Sequence, residues 1–456
     1  MTLYDLVAPA IEARCEPRYR ISGIRAADPL GADAILAAVP AMNRDADVPA
    51  LTLALRALVP DPDRTASLGV VDALAAVRDI GLLLGSLKRH GVEPLAAVPE
   101  ALPVLQELGR RTGMVPRDTV HHYTTWNPLG DRQRMYTGEK MEGHLQDSVR
   151  MVFPALVASL GTCSELAGLE PYDPRFADAL DRTGEHVQAM VDSIDFTVAQ
   201  VTPDFFARGL RPYFEEIDVD GRPYLGPAAA QVPLWLVDLT LWQSDRSSPE
   251  YDAFLDESVR YSLPSWRVFH AAHRGSTSAV SKLSAAISWE STPRLPPVLA
   301  ASAVSLARVL RILKTFRARH IGIARKAYSD ELRLYEAGSG GAPIALLRSV
   351  LDLTRDNETL VRHANVRMHA PMTPPASARK PAHKPAPNPA PNPAPRPGAK
   401  AVAKAASASA SPAASAAAAA AAASTAAATP RPAPTPAPAS ASVSATAALR
   451  ERRFTP

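Results

Sequence analysis

The sequence is short of the features that place a protein quickly. Its 456 residues include two cysteines, Cys15 and Cys163, and neither belongs to a C-x-x-C pair. That excludes a disulfide framework and a structural zinc site, and fits a reducing compartment. No G-x-G-x-x-G follows a strand-like run, no P-loop occurs, and strands do not alternate with helices. A nucleotide-binding α/β fold is therefore not expected. Long hydrophobic runs are missing too. The longest, such as PLWLVDLTLW, are interrupted by Asp or too short to span a bilayer, so no membrane segment is expected. MTLYDLVAPAIEARCEPRYR has no basic region followed by an apolar run, hence no secretory signal is read. A soluble cytoplasmic protein is the expectation.

Acidic residues are scarce in one region. From Pro371 onward the chain holds 18 of its 44 prolines, ten Lys/Arg and a single acid, Glu451. Setting that segment aside turns the overall +4 into about −5 for residues 1–370. The pI near 9.0 is thus a property of the tail, and nucleic acid is not expected as a partner. Alternating Pro-Ala and the stretch AASAAAAAAAASTAAA have no apolar face to bury, so 371–456 reads as a disordered tail.

What is present is helix. GADAILAAVPAMN, VVDALAAVRDIGLLLGSLKRHG, LPVLQELGRRTG and HLQDSVRMVFPALVASLGTCSELAG carry apolar residues at i, i+3, i+4 spacing, and several end in Gly after a basic residue. DRTGEHVQAMVDSIDFTVAQVTPDFFARGLRPYF predicts a long helix running into a helical turn. EEIDVDGRPYLGP predicts a small hairpin at Asp-Gly. The fold class expected is mainly α: a smaller N-terminal helical region over 1–115, a larger helical domain over 116–370, and the tail.

The stretch from Val298 to Tyr328 places Leu299, Ala303, Leu306, Leu310, Leu313, Phe316, His320, Ile323 and Ala327 on one helical face. Arg308, Arg311, Lys314, Arg325 and Lys326 fall opposite. His320 therefore points into whatever the stripe packs on. Two readings stand together: a buried neutral histidine bonded to a carbonyl, or a haem ligand on a rigid helix with Arg317 and Arg319 within one turn. GSGG, Gly338 to Gly341, is either a flexible helix connection or a loop folded over a ligand, with Ser339 offering a hydroxyl.

FRARHIGIARKAY followed by GSGG resembles the haem-ligand helix and glycine loop of the indoleamine 2,3-dioxygenase superfamily. Over roughly residues 30–360 the chain is similar to the branch of that superfamily acting in pyrrolnitrin biosynthesis, through MNRDADVP, VRDIGLLLGSLKRHGVEP, TTWNPLGDRQRMYTG, HLQDSVR and LRPYFEEIDVDGRPYLGP. The resemblance implies an indoleamine/tryptophan 2,3-dioxygenase-like helical haem domain over 116–370, with haem b as cofactor. It implies His320 as iron ligand and Arg317 at a haem propionate, with Gly338, Gly340 and Gly341 forming the glycine loop against the cofactor. It implies Tyr328 and Ser339 as catalytic residues. Arg211 matches the arginine that meets the substrate carboxylate, Phe206 a substrate-facing aromatic, and Ser148 a distal-side serine. His144 stands where the dioxygenases have phenylalanine, and Ala342-Pro343 where they have Thr-Asp. The reaction implied converts 7-chloro-L-tryptophan to monodechloroaminopyrrolnitrin, using dioxygen and an unknown electron donor. Ring-opening dioxygenation of a tryptophan, non-catalytic haem binding, and a helical scaffold are the other readings.

Overall fold

In the computed structural model, residues 20–227, 233–292, 294–327, 335 and 337–368 are described, with side chains to 362. Tyr328, Cys15 and the 371–456 tail lie outside them. The architecture is mainly α, as expected; a single two-stranded hairpin is the only sheet among the described residues.

Four long helices make the frame of the histidine region. Lys140–Ala167 and Pro174–Gln200 run antiparallel, since Ser193 Oγ donates to Ser148 O at 2.9 Å and Thr162 meets Thr183 at 2.8 Å. Pro297–Ala327 lies alongside the second in the same direction, with Arg308 facing Asp181 and Arg319 facing Asp195. Ile344–Met368 returns antiparallel to it, pairing Glu358 with Lys314 and Thr354 with Arg317. The predicted stripe packs as periodicity requires: Leu299, Ala303, Leu306, Leu310 and Leu313 are all buried. Lys140–Ala167 is long and apolar enough to cross a bilayer. Its hydropathy is accounted for by Val149, Val152, Phe153, Leu156 and Leu160, which are buried in the protein.

The helix Val70–Arg89 is interior on every side, with each side chain from Ala73 to Leu87 buried. It joins two apolar clusters, giving Leu74 and Ala75 to the larger and Ala76, Ile80 and Leu83 to the smaller. Its polar residues are matched rather than exposed: Arg78 Nε donates to Asp79 Oδ1 at 2.8 Å, and Arg134 Nε donates to the same oxygen at 2.9 Å. Such pairing is what permits charge in an interior helix. Leu210, Tyr213, Phe214 and the hairpin residues Ile217 and Val219 close the smaller cluster from the far end of the sequence.

The hairpin forms where Asp-Gly predicts it, pairing Ile217–Val219 with Arg222–Tyr224. One expectation is refined. GADAILAAVPAMN is not one helix but two short ones, Asp33–Ala37 and Val39–Arg44, with Pro40 in the first turn of the second. Proline has no N–H to continue the first helix's ladder, so the break falls just before it.

Candidate functional site

The inward face of Pro297–Ala327, the Lys140–Ala167 and Pro174–Gln200 helices, the Leu234–Asp238 turn and the start of Ile344–Met368 enclose a cavity of about 280 Å³. Its walls are chiefly apolar, including Leu145, Val149, Val152, Leu234, Phe316 and Leu346. Five residues singled out from sequence line it together: His320, Arg317, Ser148, Gly338 and Gly340.

His320 is half-buried and stacks nearly parallel on Phe316, with ring centroids 5.8 Å apart. Among the described residues it has no hydrogen-bond partner. Burial pushes its pKa below the ordinary histidine value, so the imidazole is neutral and keeps a nitrogen lone pair. The reading of a histidine satisfied by a carbonyl therefore finds no support among the described residues.

Arg317 is buried and already engaged. One terminal nitrogen donates to Thr354 Oγ1 at 2.7 Å and the other to Asp238 Oδ2. Asp238 also accepts from Trp242 Nε1 at 3.1 Å and Tyr251 Oη at 2.8 Å. This buried network was missed in the sequence. The only signal was an acid inside PLWLVDLTLW, read there merely as an interruption of hydropathy.

Ser148 Oγ donates to Leu145 O at 2.7 Å, so the serine presents acceptor lone pairs, not a proton, to any other partner. The glycine segment forms a tight turn, Gly341 N donating to Gly338 O at 2.9 Å and Gly338 N to Ala342 O at 3.0 Å. Gly341 has φ +80°, which only glycine adopts freely. Gly338 and Gly340 line the cavity, whereas Gly341 lies toward Leu225. Ser339 is half-buried in the turn but is not part of the cavity wall.

Arg211, Phe206 and His144 lie elsewhere than the cavity wall. His144 packs edge-on against Phe196 at 5.7 Å, with a buried Nδ1 that has no partner. Phe206 packs on the smaller apolar cluster. Arg211 is only 8 % exposed, and its guanidinium has no hydrogen bond or ion pair among the described residues, with Nε and Nη1 both buried. The Tyr335 ring covers it at 4.1 Å, and Tyr335 Oη donates to Glu215 Oε1 at 2.6 Å. A buried guanidinium without an acceptor is costly, and a bound carboxylate is the chemistry that would relieve it. Tyr335, three residues before the glycine turn, escaped the sequence reading because its partner is 124 positions away.

A second histidine pair is structural in character. His121 and His122 lie on a π-helical turn, fully buried, with His121 ringed by Trp126, Phe153 and Trp266 at 5.2–5.4 Å. Burial lowers the His121 pKa to about 3. Because its folded pKa lies below the unfolded value of 6.5, the neutral form favours folding above pH 6.5, and that contribution is lost as pH falls toward 3. The loss is about 1.4 kcal/mol per pH unit for each such histidine. Urea unfolding at pH 7 and pH 5 should differ by about 2 kcal/mol from His121 alone. A midpoint unchanged between the two pH values would show that this imidazole is solvated.

The fold and cavity together define a mainly helical protein with a histidine, unpartnered among the described residues, walling an apolar pocket. A model of the Monodechloroaminopyrrolnitrin synthase PrnB family matches residues 24–371, and the chain belongs to that family. The family is one of enzymes, synthases of pyrrolnitrin biosynthesis, which implies a tryptophan-derived substrate.

Proposed function

We propose that the chain is a haem b-dependent enzyme converting 7-chloro-L-tryptophan to monodechloroaminopyrrolnitrin in the cytoplasm, with His320 as the iron ligand. The observation that carries the reading is His320: neutral, without a hydrogen-bond partner among the described residues, and set in an apolar cavity beside Arg317. A lone neutral imidazole is the donor set haem requires, because the macrocycle supplies the other four ligands. The volume is small for haem and substrate together, and Gly338–Ala342 is the wall with least bulk to displace.

When bound, haem supplies the iron at which dioxygen and the indole are brought to react. The chain's own residues bind and orient. Arg211 attracts the substrate carboxylate by charge and paired hydrogen bonds. Ser148 Oγ, its proton committed to Leu145 O, accepts from a substrate N–H. The aliphatic walls exclude water, which strengthens the contact at Ser148. Arg317 differs from a simple propionate anchor, since Asp238 already balances its charge; it would help hold haem as a rigid, neutralised cation in the cavity wall. Tyr328 and Ser339 remain the proposed catalytic residues, and the helical region 1–115 a support for the catalytic part 116–370.

The test is incubation with 7-chloro-L-tryptophan, dioxygen and a reductant, followed by mass analysis. The expected product is the decarboxylated phenylpyrrole. A kynurenine-type product would instead favour ring-opening dioxygenation, and failure to consume any tryptophan would overturn the enzyme reading. In the same assay Arg211→Ala should raise KM roughly 10- to 100-fold, the loss of a charge-assisted hydrogen-bonded pair. An unchanged KM would remove Arg211 from substrate binding.

A further inference from the structure

The face of Pro297–Ala327 opposite His320 is a basic stripe. Arg311, Lys314, Ala318, Gly322, Arg325 and Lys326 recur at three- and four-residue steps and are exposed or half-buried, while His320 lies half a helical turn away on the cavity side. Where this stripe meets Ile344–Met368 there is an open groove lined by Lys314, Thr315, Arg319, Arg355, Glu358 and Arg362. Part of its charge is answered locally: Glu358 meets Lys314 and Arg311, Asp195 meets Arg319, and Asp352 meets Arg355. Arg325, Lys326 and Arg362 have no acidic partner among the described residues; Arg362 lines the groove, while Arg325 and Lys326 continue the stripe outside its lining. This surplus is placed on a body that is otherwise acidic, about −5 over residues 1–370. The concentration of cations on one helix face is thus a local feature, set against the charge of the whole.

We propose that this groove docks an acidic one-electron carrier protein, of the iron–sulfur or flavin class, which reduces the iron held by His320. The inference rests on the haem reading of His320. Three things carry it. The surface is charge-complementary to an acidic partner, and a basic field on an acidic body orients such a partner toward one face. The chain's own tail carries ten Lys/Arg and one acid, so its charge does not complement the groove. The groove is also close to the imidazole, because an α-helix with its side chains is only about 10–12 Å across. A carrier seated there comes within about one helix diameter of the ligand. One electron leaves the carrier, ferric iron becomes ferrous, and no bond or proton changes hands. Contacts of this kind are small, wet and salt-sensitive, which suits turnover of the carrier.

The probe is a plant-type [2Fe–2S] ferredoxin, an acidic one-electron protein, used with the full-length haem-loaded chain. Binding is measured by calorimetry at low and at 300 mM salt, and anaerobic reduction is followed by the Soret shift. Micromolar binding, weakened tenfold or more by salt, is expected. The triple variant Arg325→Glu/Lys326→Glu/Arg362→Glu spares the paired cations; it should weaken binding and slow reduction by ferredoxin at least tenfold. Its reduction by dithionite, a small ion that needs no docking, should stay within twofold of the parent. Equal ferredoxin binding and reduction by the variant, or binding indifferent to salt, would overturn the proposal. So would a groove that takes an RNA duplex and not ferredoxin. If the protein carries no Soret band, the haem reading fails by itself; ferredoxin binding by calorimetry then still decides whether the groove docks an acidic protein.

Discussion

His320→Ala should purify without a Soret band, the haem-to-protein ratio falling roughly tenfold or more below the parent. The expectation follows from the donor inventory of the cavity. Among the described residues no cluster of three His, Cys, Asp or Glu exists that could substitute as a metal site. Within the cavity, Asp238 is held by Trp242, Tyr251 and Arg317, and the remaining lining is mostly aliphatic. Removal of the imidazole would thus take away the ligand proposed for the iron. The variant should fold, since His320 contributes no hydrogen bond to a described residue and truncation opens space into an existing cavity. Far-UV circular dichroism matching the parent would confirm that, and added imidazole should restore the band by filling the vacated volume. A variant that keeps the parent spectrum would remove His320 as ligand.

Gly81→Ala is expected to cost about 3 kcal/mol or more, enough to lower soluble yield severely. A Cβ added at Gly81 would stand 2.3 Å from Asp118 Cβ and 2.4 Å from its Cγ. Neither side has room to yield: the helix is buried all round, and Asp118 is 3 % exposed beside the fully buried Arg117. Gly85 repeats the situation one turn later, with a Cβ 2.7 Å from Tyr213 O and 2.6 Å from Tyr136 Oη. Gly161→Ala supplies the control of opposite sign. It is exposed on the Lys140–Ala167 helix with nothing within 4 Å of an added Cβ, so alanine there should be neutral or stabilising by up to about 1 kcal/mol. Unfolding free energies of the two variants from denaturant titration should separate by several kcal/mol. Equal midpoints would mean that the Val70–Arg89 helix is not packed as closely as described.

These two residues show how differently the sequence speaks. His320 was legible because a helix repeats every 3.6 residues: its neighbours on the stripe are a few positions away, and each faces the same core. The motif RDIGLLLG was visible as part of the resemblance, but not the cause of its glycines. Gly81 and Gly85 are glycines because Asp118 and Tyr213 press against the helix, and those contacts span 37 and 128 positions. Asp238 and Tyr335 were invisible for the same reason, as their partners Arg317 and Arg211 come from other parts of the chain.

The sequence by itself determined the helical class, the hairpin at Asp-Gly and the inward direction of His320. Each depends on residues within a few turns of one another, where backbone geometry alone sets the outcome. Only the tertiary structure decided that His320, Arg317, Ser148, Gly338 and Gly340 share one cavity. It also decided that Arg317 is spoken for by Asp238 while Arg211 is left without an acceptor among the described residues. Those are questions of which distant side chains meet, and they are settled by packing, where burial makes every unmatched charge and every missing methyl count.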